Sequence, residues 1–451
     1  MYSPDPLARG LADRASQLQL LVLIAILAGG GGVAYGFANL VVQLAAIAVL
    51  AVNAPAVRGL WQAGTKPVAL LCFATLALPL MQLVPLPHAV WIALPGRQLA
   101  DESLLAVDAM GWFPVSLDSA RTLVAFLGLL LPFAVLALGL SLGRSTLVAV
   151  CRTVIALALA GFALGAVQVL SAGQSGLLYP ENPMPGVMFS TFANRNSAGL
   201  FMVCCLILLC ALPLGHARQR ELIVRVIAGV LLTLGVLLTQ SRSSMALLAI
   251  PALYLTLRLA SAAWARRSAN ALQITRTTGV AAAALIAAVF AAAMVLLPDS
   301  RIMTGIERFS QTADARTVIW EDARFAAKRY WPAGTGMGTF DEVFQVDESL
   351  EYLSTRTAGR AHNDYLEIAI EAGAFGLALV AMWAAFVLWQ AIRARNSAHR
   401  WLAWGCAAIL ACIALQSIVD YPLRNQAMLG FAALMVALLT LAANPDRELE
   451  P

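Results

Sequence analysis

The strongest constraint on how this chain folds is a succession of about 12 apolar runs, each long enough to cross roughly 30 Å of hydrocarbon as a helix. Of its 451 residues, 60% are hydrophobic and only 12% are charged, about half the charged fraction of a soluble domain. So few charged side chains cannot cover a globule of this size, which excludes an ordinary cytosolic enzyme. The sequence therefore predicts an all-α, polytopic transmembrane bundle. The predicted spans cover residues 18–36, 38–54, 67–85, 120–141, 147–170, 196–214, 221–239, 243–260, 278–297, 364–391, 401–419 and 426–443.

Basic residues in the short loops predict which way the bundle faces. With a cytoplasmic N-terminus, the inside loops hold 15 lysines and arginines and the short outside loops hold 5. Since cytoplasmic loops carry an excess of these residues, both termini are predicted to be cytoplasmic. The longest polar segment, 298–363, then lies outside and joins the ninth span to the tenth. The first apolar run leads into glycines rather than a cleavage site, so it is expected to remain as an anchor.

This topology divides the chain into four parts. They are the N-terminal spans (1–185), the core spans with the arginine motifs (186–297), an outside loop or lid (298–363) and the C-terminal spans (364–451). All seven cysteines fall in apolar spans, and none has a histidine at metal-ligand spacing. We therefore expect neither disulfides nor a zinc or iron–sulfur site.

Three arginines stand at the outer ends of predicted spans. Arg195 lies in TFANRNSAG between Asn194 and Asn196, Arg242 lies in TQSRSS, and Arg424 lies in VDYPLRN. The positive-inside rule disfavours arginine on the outer side, and placing its charge at this depth costs free energy. Ionisable groups here are therefore functional candidates. The alternative is that each side chain reaches out to lipid phosphates. If they converge, these arginines and the adjacent helix termini would form a strong site for a phosphorylated group.

The outside loop predicts a helix followed by a tight turn. Residues 317–330 place apolar side chains on one face, which suits either a helix lying on the membrane surface or, more often, a helix packed within the lid itself. The glycines of PAGTGMGTF do not match a nucleotide-binding loop, because no strand precedes them and no Gly-Lys-Ser/Thr follows. A tight turn is the better interpretation.

His362 is the one histidine in polar company, within RAHNDYLE where the outside loop enters the tenth span. A histidine titrates near neutral pH and can take a proton from a hydroxyl. Asp364 or Glu367 could orient its ring. A lone histidine at a helix start is more often structural, but the three arginine loops open on the same predicted side.

Several of these motifs occur in order in one polytopic chain, and together they resemble the O-antigen ligase/polymerase superfamily. They are NRNxxAG, TQSRS, RxxxW beginning at Arg316 and followed by PxGxGxGTF, and RxHNDYL, with QLVPLP at 82–87 upstream. The resemblance is strongest from about residue 185 to residue 430. Many members carry a histidine where this chain has Ser197, so His362 is left as the sole candidate proton carrier.

The resemblance implies a C-type glycosyltransferase-like bundle in the bacterial inner membrane, with its active site facing the periplasm. It implies a glycan donor on undecaprenyl diphosphate. Transfer is expected to need no metal or cofactor, and the expected partners include membrane lipids but no nucleic acid. The acceptor is expected to be lipid A–core or a growing polysaccharide, or a protein in a protein O-oligosaccharyltransferase. His362 is expected to be catalytic. The residues expected to bind substrate are Asn194, Arg195, Asn196, Arg242, Arg316, Arg360, Asn363 and Arg424.

Two other classes of protein fit parts of the sequence. A transporter or flippase for anionic lipids would also use arginines in a polytopic bundle, but it should show charges near the middle of the membrane or paired broken helices. A non-catalytic scaffold for envelope assembly would need none of the arginine and histidine motifs. Both rivals predict that no new glycosidic bond is formed.

Overall fold

A computed structural model describes residues 13–32, 35–62, 64–109, 111–171, 178, 184–215, 217–267, 316–351 and 358–444. Within these ranges the chain is mostly helical, as expected where backbone groups must be satisfied within each segment. The helices are α1 (Arg14–Ala28), α2 (Gly36–Val52), α3 (Ala54–Gly59), α4 (Lys66–Gln82), α5 (His88–Trp91), α6 (Gln98–Leu105), α7 (Ser119–Ser141), α8 (Arg144–Leu170), α9 (Arg195–Ala211), α10 (Arg218–Leu238), α11 (Arg242–Leu247), α12 (Ala249–Arg267), α13 (Arg316–Arg329), α14 (Phe340–Asp347), α15 (Asp364–Arg393), α16 (Arg400–Gln416) and α17 (Gln426–Ala443). Two short strands, β1 (Pro85–Pro87) and β2 (Trp112–Pro114), pair antiparallel.

The chain is a multi-pass membrane protein. Among the described residues, seven helices are long and apolar enough to cross a bilayer, and four shorter apolar helices match further predicted spans. The predicted span 278–297 lies outside the described residues, so the number of twelve spans stays a prediction. The positions of the described spans agree with the sequence because hydrophobic length alone specifies them.

Polar side chains fix where several helices begin. Asp118 caps α7, Asn194 caps α9, Ser241 caps α11, Asn363 caps α15 and Asn425 caps α17, and each side-chain oxygen accepts a backbone N–H of the first turn. Such caps satisfy the amide groups that a helix start leaves without partners. Four of the five belong to the arginine and histidine motifs, so part of the motif chemistry is structural.

The centre of the bundle is formed by α17 and α9, whose side chains are buried along nearly their whole length. Small residues permit the close packing that replaces a hydrophobic driving force between helices in lipid. A Cβ added at Gly405 would lie 2.5 Å from the Cβ of Ala211, and one added at Gly139 would lie 3.0 Å from the Cβ of Ala437. The helices therefore approach one another almost backbone to backbone at these points.

Residues 83–118 and 316–351 pack together into one unit, here called the cap. The guanidinium of Arg97 is fully buried in it, between the rings of Trp91 and Tyr330, and donates hydrogen bonds to the carbonyl oxygens of Val115 (2.5 Å) and Gly334 (3.0 Å). The predicted helix at 317–330 is observed as α13, and the buried residues Ala323 and Ala326 join an apolar core shared with α14 and α15. The apolar face of α13 therefore packs inside the protein rather than on the membrane surface.

Helix α15 is broken near its start. Gly373 has φ 55° and ψ −140°, and a Cβ there would lie 2.0 Å from the carbonyl oxygen of Pro332. The cap turn 332–336 fills the break: Thr335 and Gly336 donate backbone hydrogen bonds to the carbonyls of Ile370 (3.0 Å) and Glu371 (2.8 Å), and the Ala374 amide donates to Pro332 (3.0 Å). The glycine-rich turn thus supplies the hydrogen bonds that the helix lacks.

Candidate active site

The arginine motifs, which are far apart in the sequence, meet at one end of the bundle. The Ser244 hydroxyl at α11 donates to the carbonyl oxygen of Asn196 in the first turn of α9 (3.2 Å). The amide of Gln416 at the end of α16 donates to the Ser243 hydroxyl (2.9 Å). Residues 194–197, 239–244, 360–371 and 416–425 therefore form one cluster, here called the motif site.

His362 lies at the centre of the motif site and is held by Asp420. The Nδ1 atom of His362 is 3.4 Å from Oδ1 of Asp420, which is fully buried, while the His362 side chain is 34% exposed. Asn194 donates from Nδ2 to both oxygens of Asp420, at 3.2 and 3.1 Å. Because a carboxylate only accepts hydrogen bonds, this contact favours the tautomer of the neutral imidazole in which Nδ1 carries the proton and Nε2 has the lone pair.

Asp420 corrects the interpretation from sequence that Asp364 or Glu367 orients the imidazole. Both of those carboxylates have other partners: Asp364 accepts from the Ser417 hydroxyl (2.8 Å), and Glu367 accepts from the Ala361 amide (3.0 Å). Spacing along α15 suggested a local partner, but His362 precedes the helix with φ 50°, and its ring turns toward the loop before α17. A left-handed conformation in a residue other than glycine costs about 1–3 kcal/mol and is typical of functional sites.

Tyr421 completes the surroundings of the imidazole. Its ring centroid lies 5.0 Å from that of His362, and the Arg360 guanidinium carbon lies 5.8 Å from the Tyr421 centroid. Arg360 also donates to Glu367 (3.0 Å). The imidazole is therefore bounded by the Asp420 carboxylate and the Tyr421 ring, and Arg360 lies on that ring.

Arg424 is the hub of a buried ion cluster. Its Nε lies 3.3 Å from Asp364 Oδ1 and 3.2 Å from Glu367 Oε2, and its Nη1 lies 2.7 Å from Glu371 Oε2. The three carboxylates occupy one face of the first two turns of α15. Burial alone would lower the pKa of Arg424, but the charges of Glu371, Glu367 and Asp364 outweigh it and raise that pKa above its usual value. Arg424 therefore fixes the loop before α17 to the start of α15.

The other residues predicted to bind substrate occupy helix starts. Arg195 and Arg242 are the first residues of α9 and α11, and both side chains are half-buried at the motif site. Asn194 and Asn363 use their side-chain oxygens as helix caps. Arg316 begins α13 in the cap. Their roles in binding stay predictions.

Several site residues were missed from sequence, because their partners lie more than 50 positions away. Besides Asp420, they include Glu371 and Gln82, a buried residue at the end of α4. Gln82 donates to the Glu371 carbonyl (2.8 Å) and accepts from the Met337 amide (2.9 Å), so it ties α4, the cap turn and α15 together. The QLVPLP motif marked this position, but only the fold gives it a partner.

A family model described as O-antigen ligase matches residues 227–381. That range contains TQSRSS, the glycine turn and RAHNDYL. The match identifies residues 227–381 as an O-antigen ligase domain. The resemblance inferred from the motifs is thereby confirmed, and the family is one of glycosyltransferase-type enzymes. A comparison with curated proteins gives no match.

The O-antigen ligase match covers Arg242, Arg316 and His362 but ends before Asp420 and begins after Asn194. Geometry joins these outer segments to the matched domain through the hydrogen bonds described above. The motif site is thus built from residues inside the matched range and from segments on both sides of it.

Proposed function

We propose that the chain transfers a glycan from an undecaprenyl-diphosphate-linked donor to an acceptor hydroxyl at the periplasmic face of the inner membrane. The observation that supports this most is the Asn194–Asp420–His362 chain, which leaves Nε2 of the imidazole to accept a proton within the cluster that also contains Arg195 and Arg242. The 15 to 5 distribution of basic residues supports the periplasmic orientation.

In the proposed reaction His362 acts as the general base. Nε2 takes the proton of the acceptor hydroxyl, and the hydroxyl oxygen attacks the anomeric carbon of the donor. The bond from that carbon to the diphosphate oxygen breaks, and undecaprenyl diphosphate leaves with the bonding electron pair. Direct displacement inverts the anomeric configuration. Asp420 stabilises the imidazolium that forms.

Arg195 and Arg242 are proposed to bind the diphosphate and to stabilise the charge that develops on it as it leaves. Arg195 begins α9, a helix of 17 residues whose positive dipole end also favours an anion. Arg424 differs, because three carboxylates already surround it and would repel a diphosphate. We therefore assign Arg424 a positioning role.

The test is transfer by the purified chain in lipid nanodiscs, with a defined undecaprenyl-diphosphate oligosaccharide as donor. Lipid A–core, a second lipid-linked glycan and a serine-containing pilin-type peptide are offered separately as acceptors. A product with lipid A–core identifies a ligase, with the second glycan a polymerase, and with the peptide a protein O-oligosaccharyltransferase. If no new glycosidic bond forms with any of the three acceptors, the proposal is overturned.

Two sets of variants assign the roles. His362→Ala should lower the rate constant by about 100- to 10,000-fold. Arg195→Ala and Arg242→Ala should each lower the rate by about 100- to 1,000-fold and raise the donor KM. Arg144→Ala, in a loop predicted to be cytoplasmic, is the matched control. A wild-type rate in His362→Ala would remove the histidine from the mechanism, and wild-type donor affinity in both arginine variants would exclude Arg195 and Arg242 as ligands of the diphosphate.

The break in α15 also bears on the transporter alternative. Broken transporter helices come in pairs and open near the middle of the bilayer. Here the break follows the ninth residue of α15, at the end that holds the motif site. This position favours a surface active site over a translocation path.

A further inference from the structure

A cavity of about 480 Å³ opens at the opposite end of the bundle from the motif site. It is lined by Leu257, Ser261, Arg395, Arg400, Trp401 and Trp404. Helix α16 runs from Arg400 to Gln416, which contacts Ser243 of the motif site. The 17 residues of α16 separate the two ends by about 24 Å. The cavity is therefore distinct from the proposed active site, and it lies on the predicted cytoplasmic side.

Two arginines give the cavity its charge. The Arg395 and Arg400 side chains are exposed, and neither forms an ion pair or a side-chain hydrogen bond with a residue in the part of the chain that the structure describes. No Asp or Glu occurs in α12 or between residues 372 and 419, the segments that form the walls. Nothing in these walls neutralises the two guanidinium groups, so the cavity favours an anion.

The cavity also has a rigid aromatic wall. The Trp401 and Trp404 rings meet edge to face with centroids 5.2 Å apart. Trp404 donates from its indole N–H to the Ala391 carbonyl (3.0 Å), and the Tyr254 hydroxyl donates to the Trp401 carbonyl. Tryptophan is enriched at the level where lipid headgroups meet hydrocarbon.

We propose that this cavity binds the phosphate of an anionic phospholipid from the inner leaflet. The phosphodiester would lie between Arg395 and Arg400, and the first part of an acyl chain would follow Leu257 and the two indole rings. Basic pockets between membrane helices on the cytoplasmic side suit such headgroups, because the guanidinium fork matches phosphate oxygens and the leaflet is itself anionic. A site with arginines alone would suit any anion, whereas the apolar wall also suits an acyl chain. The proposal does not depend on the transfer reaction.

Native mass spectrometry of the full-length chain in detergent tests this with phosphatidylglycerol as the probe and phosphatidylcholine as the neutral comparison. The wild type should bind one phosphatidylglycerol in preference to phosphatidylcholine. Arg395→Gln combined with Arg400→Gln should weaken that binding by about 30-fold, about fivefold for each arginine. Arg393→Gln is the matched control, because Arg393 lies at the same end but stacks on Trp389 outside the cavity.

Three outcomes would overturn the proposal. Equal weakening in Arg393→Gln would mean that general attraction at this end binds the lipid. Equal binding of phosphatidylcholine would mean that charge plays no part. Displacement of phosphatidylglycerol by millimolar inorganic phosphate would assign the cavity to a free anion. Since both substituted side chains are exposed, the melting temperature of the double Gln variant without lipid should equal that of the wild type. Retained binding in Arg395→Lys combined with Arg400→Lys would support the role of the charge.

Discussion

At the scale of single residues, the motif site separates two kinds of charge. Asp420 contacts the imidazole of His362 and accepts two hydrogen bonds from the side-chain amide of Asn194. Arg424, by contrast, is enclosed by three carboxylates. The first arrangement controls where a proton sits, and the second fixes the backbone around it. The two should respond differently to substitution.

Asp420→Asn is expected to keep the shape of the site while removing the charge that orients His362. An amide can donate to Nδ1, which would move the imidazole proton to Nε2 and leave no base toward the acceptor. The transfer rate should fall by about 100- to 10,000-fold, with the remaining activity showing a changed pH profile and a nearly unchanged melting temperature. A wild-type rate and pH profile would contradict the role of Asp420.

Arg424→Gln is expected to destabilise the protein rather than only weaken donor binding. Removing the guanidinium leaves three carboxylates buried without their main cation, a change that typically costs about 3–5 kcal/mol. Thermal unfolding in detergent should therefore shift markedly for Arg424→Gln and little for Arg242→Gln. If Arg424→Gln melts like the wild type and loses donor affinity, Arg424 is a substrate ligand as its sequence position suggested.

At the scale of elements, α15 and the cap turn form one structure. The turn 332–336 bonds to Ile370, Glu371 and Ala374 across the break, and Gln82 holds both sides from α4. Glu371, the last acidic residue before the break, is held by Arg424 and by the Phe340 amide (3.3 Å). The position of the cap therefore depends on the break.

Gly373→Ala should disturb this junction. At φ 55° a side chain adds about 1–2 kcal/mol of strain, and the Cβ would have to displace the Pro332 carbonyl. We expect a loss of about 3 kcal/mol, measured by thermal unfolding, and faster proteolysis within the cap. Gly229→Ala in α10 is the control, because its Cβ meets nothing within 4 Å, so it should stabilise the helix by about 0.5–1 kcal/mol. Equal effects of the two changes would show that the break does not hold the cap.

At the scale of the whole molecule, the motif site and the lipid cavity lie at opposite ends of one bundle. The orientation predicted from basic residues places the cap outside and the cavity inside. Most native cysteines are buried, so a background without them is a reasonable starting point for labelling.

Single cysteines should report this orientation in spheroplasts treated with a membrane-impermeant maleimide. The native side chains of Val107 and Leu350 lie in the cap and are 72% and 84% exposed. Val107→Cys and Leu350→Cys should therefore be labelled in intact spheroplasts. Gln219→Cys, at the exposed start of α10, should be labelled only after permeabilisation. The reverse pattern would invert the topology and move the motif site to the cytoplasm.

Hydrophobic length and loop charge were enough to predict the bundle and most span positions, because each is a property of a local window. The convergence of Arg195, Arg242 and His362 could be expected only because all three lie at the outer ends of predicted membrane spans. The partner of His362 could not be predicted, since Asp420 reaches it across 58 positions and depends on how α16 and α17 pack. The strands β1 and β2 also went unrecognised, because each is three residues long and contains prolines that disfavour regular sheets.

The break at Gly373 also sets the depth at which the chemistry would take place. After the break, residues 374–393 form 20 residues of helix, which is about 30 Å long. This length alone matches the thickness of the hydrocarbon, so the turns before Gly373 are not needed to cross it. The first nine residues of α15 are then free to stand at the level of the headgroups, where a polyprenyl diphosphate already resides. We expect the donor to react without being lifted from its leaflet, so its long isoprenoid tail need never meet water.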